Sequence, residues 1–185
     1  MAFAVELYFD DAAETAVRHI WQSLTDNGHA SPLLNDAFTP HISLAVYDTP
    51  ALEQPLFNHN LAEFAQGLRP FPFRLSHIGI FATAESVVFL GATATPQLLT
   101  VHKQFHEQMT TFASMLRPYY APGNWVPHCT ITYGETAVAV SAAFPILYKA
   151  SLPINGRIQS VGLVQVSPTH VKELKKHPLS KGKTS

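Results

Sequence analysis

Two stretches of the chain alternate polar and apolar positions with the period of two that marks a half-buried strand. They are Thr-Pro-His-Ile-Ser-Leu-Ala-Val-Tyr from Thr39 to Tyr47 and Val-Pro-His-Cys-Thr-Ile-Thr-Tyr from Val126 to Tyr133. Alternation places His41, Ser43, Ala45 and Tyr47 on one face and Ile42, Leu44 and Val46 on the other. In the second stretch His128, Thr130 and Thr132 share a face, with Cys129, Ile131 and Tyr133 behind. Each strand is entered through a proline, and each presents an imidazole and a hydroxyl side by side.

The flanking patterns predict the remaining elements. Phe3 to Phe9, apolar but for Glu6 and the Tyr8 hydroxyl, reads as a buried strand. Asp10 and Asp11 can cap a helix over 12–27, where Ala13, Val17, Ile20, Trp21 and Leu24 recur at helical spacing and Asn27-Gly28 closes the turn. A polar loop through Pro32 and Asn35-Asp36 follows. A second helix is predicted over 52–68 with Leu56, Leu61 and Phe64 inward. An extended segment spans 71–81, and Ala84-Glu85-Ser86 turns the chain into a strand over 87–92. Pro96 suits the first turn of a helix running to Leu116, with Leu98, His102, Phe105, Met109 and Phe112 on one stripe. A loop containing Pro118, Pro122 and Gly123 leads to the second histidine strand. A weaker helical stretch, 135–149, and an extended segment, 153–166, complete the pattern.

The pattern runs through the chain twice. Arg74-Leu-Ser-His-Ile-Gly-Ile-Phe81 and Arg157-Ile-Gln-Ser-Val-Gly-Leu-Val164 agree in the arginine, the glycine and the apolar positions. Val5 and Val87, His41 and His128, and Gly79 and Gly162 are 82, 87 and 83 positions apart. Three matches in one order point to a duplication. The expected fold is therefore α+β and bilobal. Two antiparallel-sheet lobes (3–81 and 87–166, able to exchange strands) are related by a pseudo-twofold axis, with helices outside and a central cleft. Residues 1–170 form one domain, and the Lys-rich end, 171–185, reads as a solvated basic tail. Such a relation brings His41 and His128 face to face across the cleft.

Composition narrows the partners. With 46% hydrophobic and 14% charged residues in 185, there is material for a sizeable core. A formal charge of −1 provides no global field for nucleic acid or anionic membrane. The single cysteine, Cys129, fits a reducing compartment. The first residues lack the basic and apolar regions of a signal peptide, and no run approaches a membrane span. A soluble, cytoplasmic monomer is expected.

Two facing imidazoles can hold opposite protonation states near neutrality, one taking a proton from an attacking oxygen and the other giving one to a leaving oxygen. Ser43 and Thr130 would donate hydrogen bonds to a non-bridging phosphoryl oxygen. The motifs His41-Ile-Ser-Leu44 and His128-Cys-Thr-Ile131 resemble the signature of the 2H phosphoesterase superfamily, which includes LigT-like 2′-5′ RNA ligases and cyclic phosphodiesterases. The resemblance covers residues 3 to about 166; Ser43 stands where the family more often has Thr. It implies catalysis by His41 and His128, with the C-terminal histidine often the base, and phosphate binding by Ser43 and Thr130. It also implies aromatic residues at the cleft rim, with Phe38, Tyr47, Tyr120 and Trp125 as candidates. Tyr47 is favoured by its face, and Tyr133 is expected in the core. No cofactor or metal is implied.

The expected reaction is metal-independent opening of a cyclic phosphate on a small nucleotide or an RNA end. The same site could serve as a 2′-5′ RNA ligase or a 2′-5′ oligonucleotide hydrolase, and a non-catalytic nucleotide or RNA-end binding module is the rival from another class. Simpler readings accompany each residue. The two histidines could be hydrogen-bonded interface residues, and Ser43 and Thr130 ordinary strand residues. His102 and His106 have i, i+4 zinc spacing, yet no third ligand accompanies them and His102 lies on an apolar stripe. His77 reads as a packing or rim residue. Cys129 points away from its neighbours and reads as a core thiol.

Overall fold

The structure, a computed structural model, describes residues 2–29, 33–34, 38–83, 86–134, 136–167 and 170–180. The first strand, β1 (Ala2–Phe9), is buried at all eight positions, Glu6 included, as its largely apolar sequence predicts for a strand covered on both faces. It lies between β2 (His41–Tyr47) and β6 (Ile154–Ser167), antiparallel to both. The full path is β2-β1-β6-β3-β4-β5, with β3 at Phe71–Phe81, β4 at Val87–Ala92 and β5 at His128–Thr132. A seventh strand, β7 (His170–Pro178), pairs with β6.

Helices α1 (Asp11–Asp26), α2 (Gln54–Gly67), α3 (Pro96–Gln108) and α4 (Ala137–Leu147) complete a mixed α+β fold. The chain thus runs β1-α1-β2-α2-β3 and then β4-α3-β5-α4-β6. The passes meet in one connected sheet rather than two separate ones. Residues 154–158 of β6 pair with β3, and residues 158–166 pair with β1. The outermost strands of the path, β2 and β5, contact each other without a ladder, so the sheet curls back on itself.

Local chemistry accounts for most boundaries. Asp10 caps α1 by accepting from the Ala13 amide at 3.0 Å, and its other oxygen takes the Arg157 amide at 2.8 Å, tying the helix to β6. The five predicted inward residues of α1 are its buried set. On α2 the inward side is Phe57, Leu61, Phe64 and Ala65, while Leu56 is 37% exposed, so the helix is rotated from the expected face. The third helix stops at Gln108 and continues as a 3₁₀ turn over Thr110–Met115 instead of running to Leu116. There the Thr110 hydroxyl donates to the Glu107 carbonyl at 2.6 Å, competing with the helical ladder. Met109 and Phe112 are nonetheless buried, as the stripe predicted. The Pro32 and Asn35-Asp36 loop, the Ala84-Glu85 turn and Glu135 lie outside the described residues. Among the described residues no helix is long and apolar enough to cross a membrane.

The Lys-rich C-terminal stretch corrects the sequence reading. Through Pro178 it is a sheet strand rather than a tail, with Val171 and Leu174 packed against the protein and Lys172, Lys175 and Lys176 outward. Lysines on an exposed edge strand discourage pairing with another chain, and their density masked the strand. Beyond it Leu179 is 3% exposed, with its amide bonded to the Gln159 carbonyl at 2.8 Å. Leu179→Ala should therefore lower the unfolding free energy by about 2–4 kcal/mol in urea titration. A shift below about 0.5 kcal/mol, the usual size for a solvated residue, would contradict the packing.

Candidate functional site

Both histidine strands begin at their histidine and carry an irregularity at the same place. In β2 the register against β1 runs Glu6 to Ser43 and then Val5 to Ala45, skipping Leu44. In β5 the register against β4 runs Phe89 to Thr130 and then Val88 to Thr132, skipping Ile131. Each skipped residue is the third after its histidine. A bulge adds one residue and shifts the alternation beyond it.

Ile42, Leu44, Ala45 and Tyr47 consequently all reach the main core, while Val46 joins a small cluster with Ala2, Ala4 and Val164. Tyr47 is not a rim residue. It is 1% exposed and packs edge-on against Phe57 at 5.4 Å. Tyr133 departs from expectation in the other sense and is 39% exposed.

The two imidazoles are held in the same way. Nδ1 of His41 lies 2.7 Å from the Thr39 carbonyl, and Nδ1 of His128 lies 2.7 Å from the Val126 carbonyl. A carbonyl only accepts, so Nδ1 carries the hydrogen in each ring and Nε2 is the nitrogen left for chemistry. Burial pushes the His128 pKa down, and the charge of His41 pushes it the same way, so the two rings sense each other. Cys129, next to His128 in the chain, is buried in the core with its thiol pushed up to about 12, chiefly by burial, which makes it a poor nucleophile.

The hydroxyl residues are fixed by the chain's two tryptophans. The Trp125 indole N–H donates to the Ser43 carbonyl at 2.9 Å, and the Trp21 indole N–H donates to the Thr130 carbonyl at 3.2 Å. Each tryptophan thus holds the motif from the other pass. The Ser43 hydroxyl is also hydrogen-bonded to Tyr120, whose own pKa is raised by burial. Trp125 stacks face to face on His102, with centroids 3.9 Å apart. His102 Nε2 in turn meets the Tyr120 carbonyl and His106 Nε2, each at 3.0 Å. Phe38 packs against the core, and its carbonyl accepts from Arg18 at 3.1 Å. Of the four aromatic candidates, Tyr120 and Trp125 therefore touch the hydroxyl residue of a motif, whereas Phe38 and Tyr47 serve packing.

Cross-strand neighbours show the same plan on both sides and add residues that the sequence pattern did not single out. Ser43 lies opposite Glu6, which lies opposite Gly162; Thr130 lies opposite Phe89, which lies opposite Gly79. Both glycines make room for a ring. A Cβ on Gly79 would sit 2.3 Å from the Phe89 ring, and one on Gly162 would sit 2.6 Å from the Tyr8 ring.

Around His128 the surroundings are aromatic, with Phe81 at 4.9 Å and Phe89 at 5.1 Å and these two rings stacked on each other. Around His41 they are polar. Glu6 Oε1 lies 3.4 Å from His41 Nε2, and Glu6 Oε2 accepts from the Tyr8 hydroxyl at 2.8 Å. Burial pushes the Glu6 carboxyl up, opposed by His41 and the Tyr8 hydrogen bond. Lys176 of β7 sits over the Tyr8 ring, 4.4 Å from its centroid. Glu6 hides in the buried run of β1, and Phe81 and Phe89 look like ordinary strand residues; only the strand order brings them to the histidines.

Among the described residues no group of three or more His, Cys, Asp or Glu side chains is placed to hold a metal ion. His102 and His106 turn toward each other and toward main-chain carbonyls, as a buried hydrogen-bonded pair.

The curled antiparallel sheet and its two matched histidine strands are those of the 2H phosphoesterase superfamily. Within it, the sequence profile of the 2′-5′ RNA ligase superfamily matches residues 9–168, and the chain belongs to that superfamily. Solved structures share the fold at low identity. TT0787 of Thermus thermophilus superposes with a TM-score of 0.69 at 15% identity, over 99% of this chain and 100% of that one. E. coli LigT complexed with 3′-AMP gives 0.57 at 16% identity, over 96% and 97%. Kluyveromyces marxianus Usb1 gives 0.52 at 13%, over 96% and 98%. No curated protein sequence matches the chain.

The stack beneath Ser43 has a pH signature. Burial and the neighbouring His106 depress the His102 pKa to about 4, from an unfolded value near 6.5. The unfolded chain therefore binds the extra proton first as pH falls from about 6.5 toward 4. Stability is retained above that window and lost within it, by up to about 1.4 kcal/mol per pH unit from this group. Urea titrations across that range should show a shallower decline for His102→Phe than for the wild type. Parallel declines would show that His102 is not held neutral.

Proposed function

We propose that this protein is a phosphodiesterase that opens a cyclic phosphate on a nucleotide or an RNA end by two-histidine acid–base catalysis. The observation that carries this is the matched pair of imidazoles. Each is tied through Nδ1 to a carbonyl two residues upstream, each is followed by a hydroxyl residue, and each stands on one of two strands that contact each other. His41 and His128 are the catalytic pair, and Ser43 and Thr130 bind the non-bridging phosphoryl oxygens. The two passes, 3–81 and 87–166, act as lobes of one catalytic unit, each supplying half of the site.

Water attacks phosphorus while one imidazole takes its proton; the other imidazole protonates the departing ribose oxygen. Both proton transfers are served by side chains of the chain, so the reaction as proposed is independent of metal. The partly exposed Phe81 ring, stacked on buried Phe89 beside His128, offers an apolar platform for a base. The 3′-AMP held by E. coli LigT is a ligand of the kind this cleft would take. The protein is read as a monomer of the cytoplasm, where a chain with a single cysteine stays reduced.

A ribose hydroxyl in place of water would make the same site a 2′-5′ ligase, and a 2′-5′ linkage in place of the cyclic phosphate would make it an oligonucleotide hydrolase. Hydrolysis is preferred here because water needs no second groove for an acceptor strand. A binding module would not need two imidazoles whose Nδ1 atoms are both committed to carbonyls.

Turnover of nucleoside 2′,3′-cyclic phosphates in EDTA should fall by about 10²-fold or more in both His41→Ala and His128→Ala. Activity that disappears in EDTA, or that survives either substitution within a few-fold, would overturn the mechanism.

A further inference from the structure

Strand β3 carries a second set of donors beside the His128 motif. Gly91 lies opposite His128, and His77 lies opposite Gly91. Directly opposite residues share a sheet face, so the three belong to one face. The His77 ring fills the space that the glycine leaves, and a Cβ on Gly91 would sit 2.1 Å from His77 Nε2. Because Cβ atoms of opposite residues are about 4.5–5.5 Å apart, His77 Nε2 lies within about 8 Å of the His128 Cβ. The ring is exposed and held from behind. The Thr93 hydroxyl donates to Ser76 Oγ at 3.2 Å, and Ser76 Oγ lies 3.2 Å from His77 Nδ1. The Ser76 hydrogen is then the one available to Nδ1, which leaves the ring hydrogen on Nε2, above Gly91.

Arg74 extends this set. Phe73 and Leu75 enter the core, as Cys129 does beside His128, so Arg74 and His77 both stand on the face away from the core. The Arg74 guanidinium is exposed and makes no hydrogen bond or ion pair with the described residues. Arg157, its match in the second pass, instead donates to the Pro70 carbonyl. The other flank is filled. In the row His41–Tyr8–Ser160 the middle residue is a tyrosine bonded to Glu6, and Ser160 is buried.

Resting on the catalytic reading above, we infer that Arg74 and His77 form a second phosphate subsite, which takes the phosphate on the 5′ side of the ribose whose cyclic phosphate is opened. Phe81, His77 and Arg74 follow one another along β3, and Phe81 is the platform proposed for the base. With the cyclic phosphate at His128 and the base on Phe81, the 5′ group leaves the ribose on the other side of the ring oxygen, toward His77 and Arg74. The imidazole N–H and the guanidinium each donate to a phosphoryl oxygen there, and the arginine adds a local positive charge that the chain, at −1 overall, lacks globally. The chemistry recognised is a 5′-phosphoryl group. It is either the monoester of a free nucleotide or the next phosphodiester of an RNA chain.

Kinetics at low salt on a series of 2′,3′-cyclic phosphates test this: a nucleoside with a free 5′-hydroxyl, the same nucleoside with a 5′-phosphate, and a dinucleotide. One or both of the last two should exceed the first in kcat/KM by at least tenfold, through KM. A gain for the dinucleotide alone assigns the subsite to an RNA chain, and a gain for the 5′-phosphate alone assigns it to a free nucleotide. No gain for either overturns the inference. Arg74→Gln removes the charge, and His77→Phe keeps a ring over Gly91 while removing the donor. Each should lower the ratio of the two kcat/KM values at least threefold, and an unchanged ratio in either would contradict the subsite. Lys103→Gln, which removes a positive charge from α3, should keep the ratio; its loss there would show a general field instead. Calorimetry separates binding from catalysis. A nucleoside 3′,5′-bisphosphate should bind at least tenfold more tightly than the 3′-monophosphate, and Arg74→Gln should abolish the difference. That binding gain without turnover of any substrate would sink the catalytic reading alone; turnover without the gain would sink this inference alone.

Discussion

Two indole N–H groups set the relation between the histidine strands. Trp125 donates to the carbonyl of Ser43 and Trp21 to the carbonyl of Thr130, and each indole comes from the pass that does not contain its acceptor. Because β2 and β5 are in contact without sharing a ladder, no sheet hydrogen bonds fix their mutual position. The two side-chain bonds and the shared strand β6 do this instead. A bulge after each motif leaves the histidine and hydroxyl residue partly exposed while the remainder of the strand turns its side chains into the core. Behind Trp125 the His102 stack extends the support, so an apparently metal-like histidine pair is a prop for a hydroxyl on the opposite strand.

On this frame the two histidine strands are alike in backbone and different in their chemical surroundings. Each has a Nδ1-anchored imidazole, a neighbouring hydroxyl and a glycine covered by a ring. One side surrounds its histidine with phenylalanines, and the other with a buried carboxyl, a tyrosine and a lysine from β7. Under the proposed function the apolar side would face a base and the polar side the reacting phosphate. The difference also gives the two imidazoles unlike surroundings, as the proposed roles of proton donor and proton acceptor would require.

Much of this was legible in the sequence because it depends on periodicity. The α1 face, the strand over 71–81, the two motifs and the order of elements follow from spacings of 3.6 and 2. Tyr47 and Tyr133 were misplaced because a bulge changes parity without any residue that announces it, Leu44 and Ile131 being ordinary strand residues. β7 was hidden by its lysines, which a strand at a sheet edge tolerates well. Glu6 sits in a mostly apolar strand, and nothing in its spacing points to His41, 35 positions away, as its partner. The indole bonds span 82 and 109 positions, and no local pattern encodes such contacts.

The central claim is that the two motifs form one phosphate site. A crystal structure determined with inorganic phosphate in the cleft tests it most directly. The anion should lie between Nε2 of His41 and Nε2 of His128, within hydrogen-bond distance of both and of the Ser43 and Thr130 hydroxyls. An anion bound by one motif alone, or a separation too wide for one phosphate to span both imidazoles, would contradict the account.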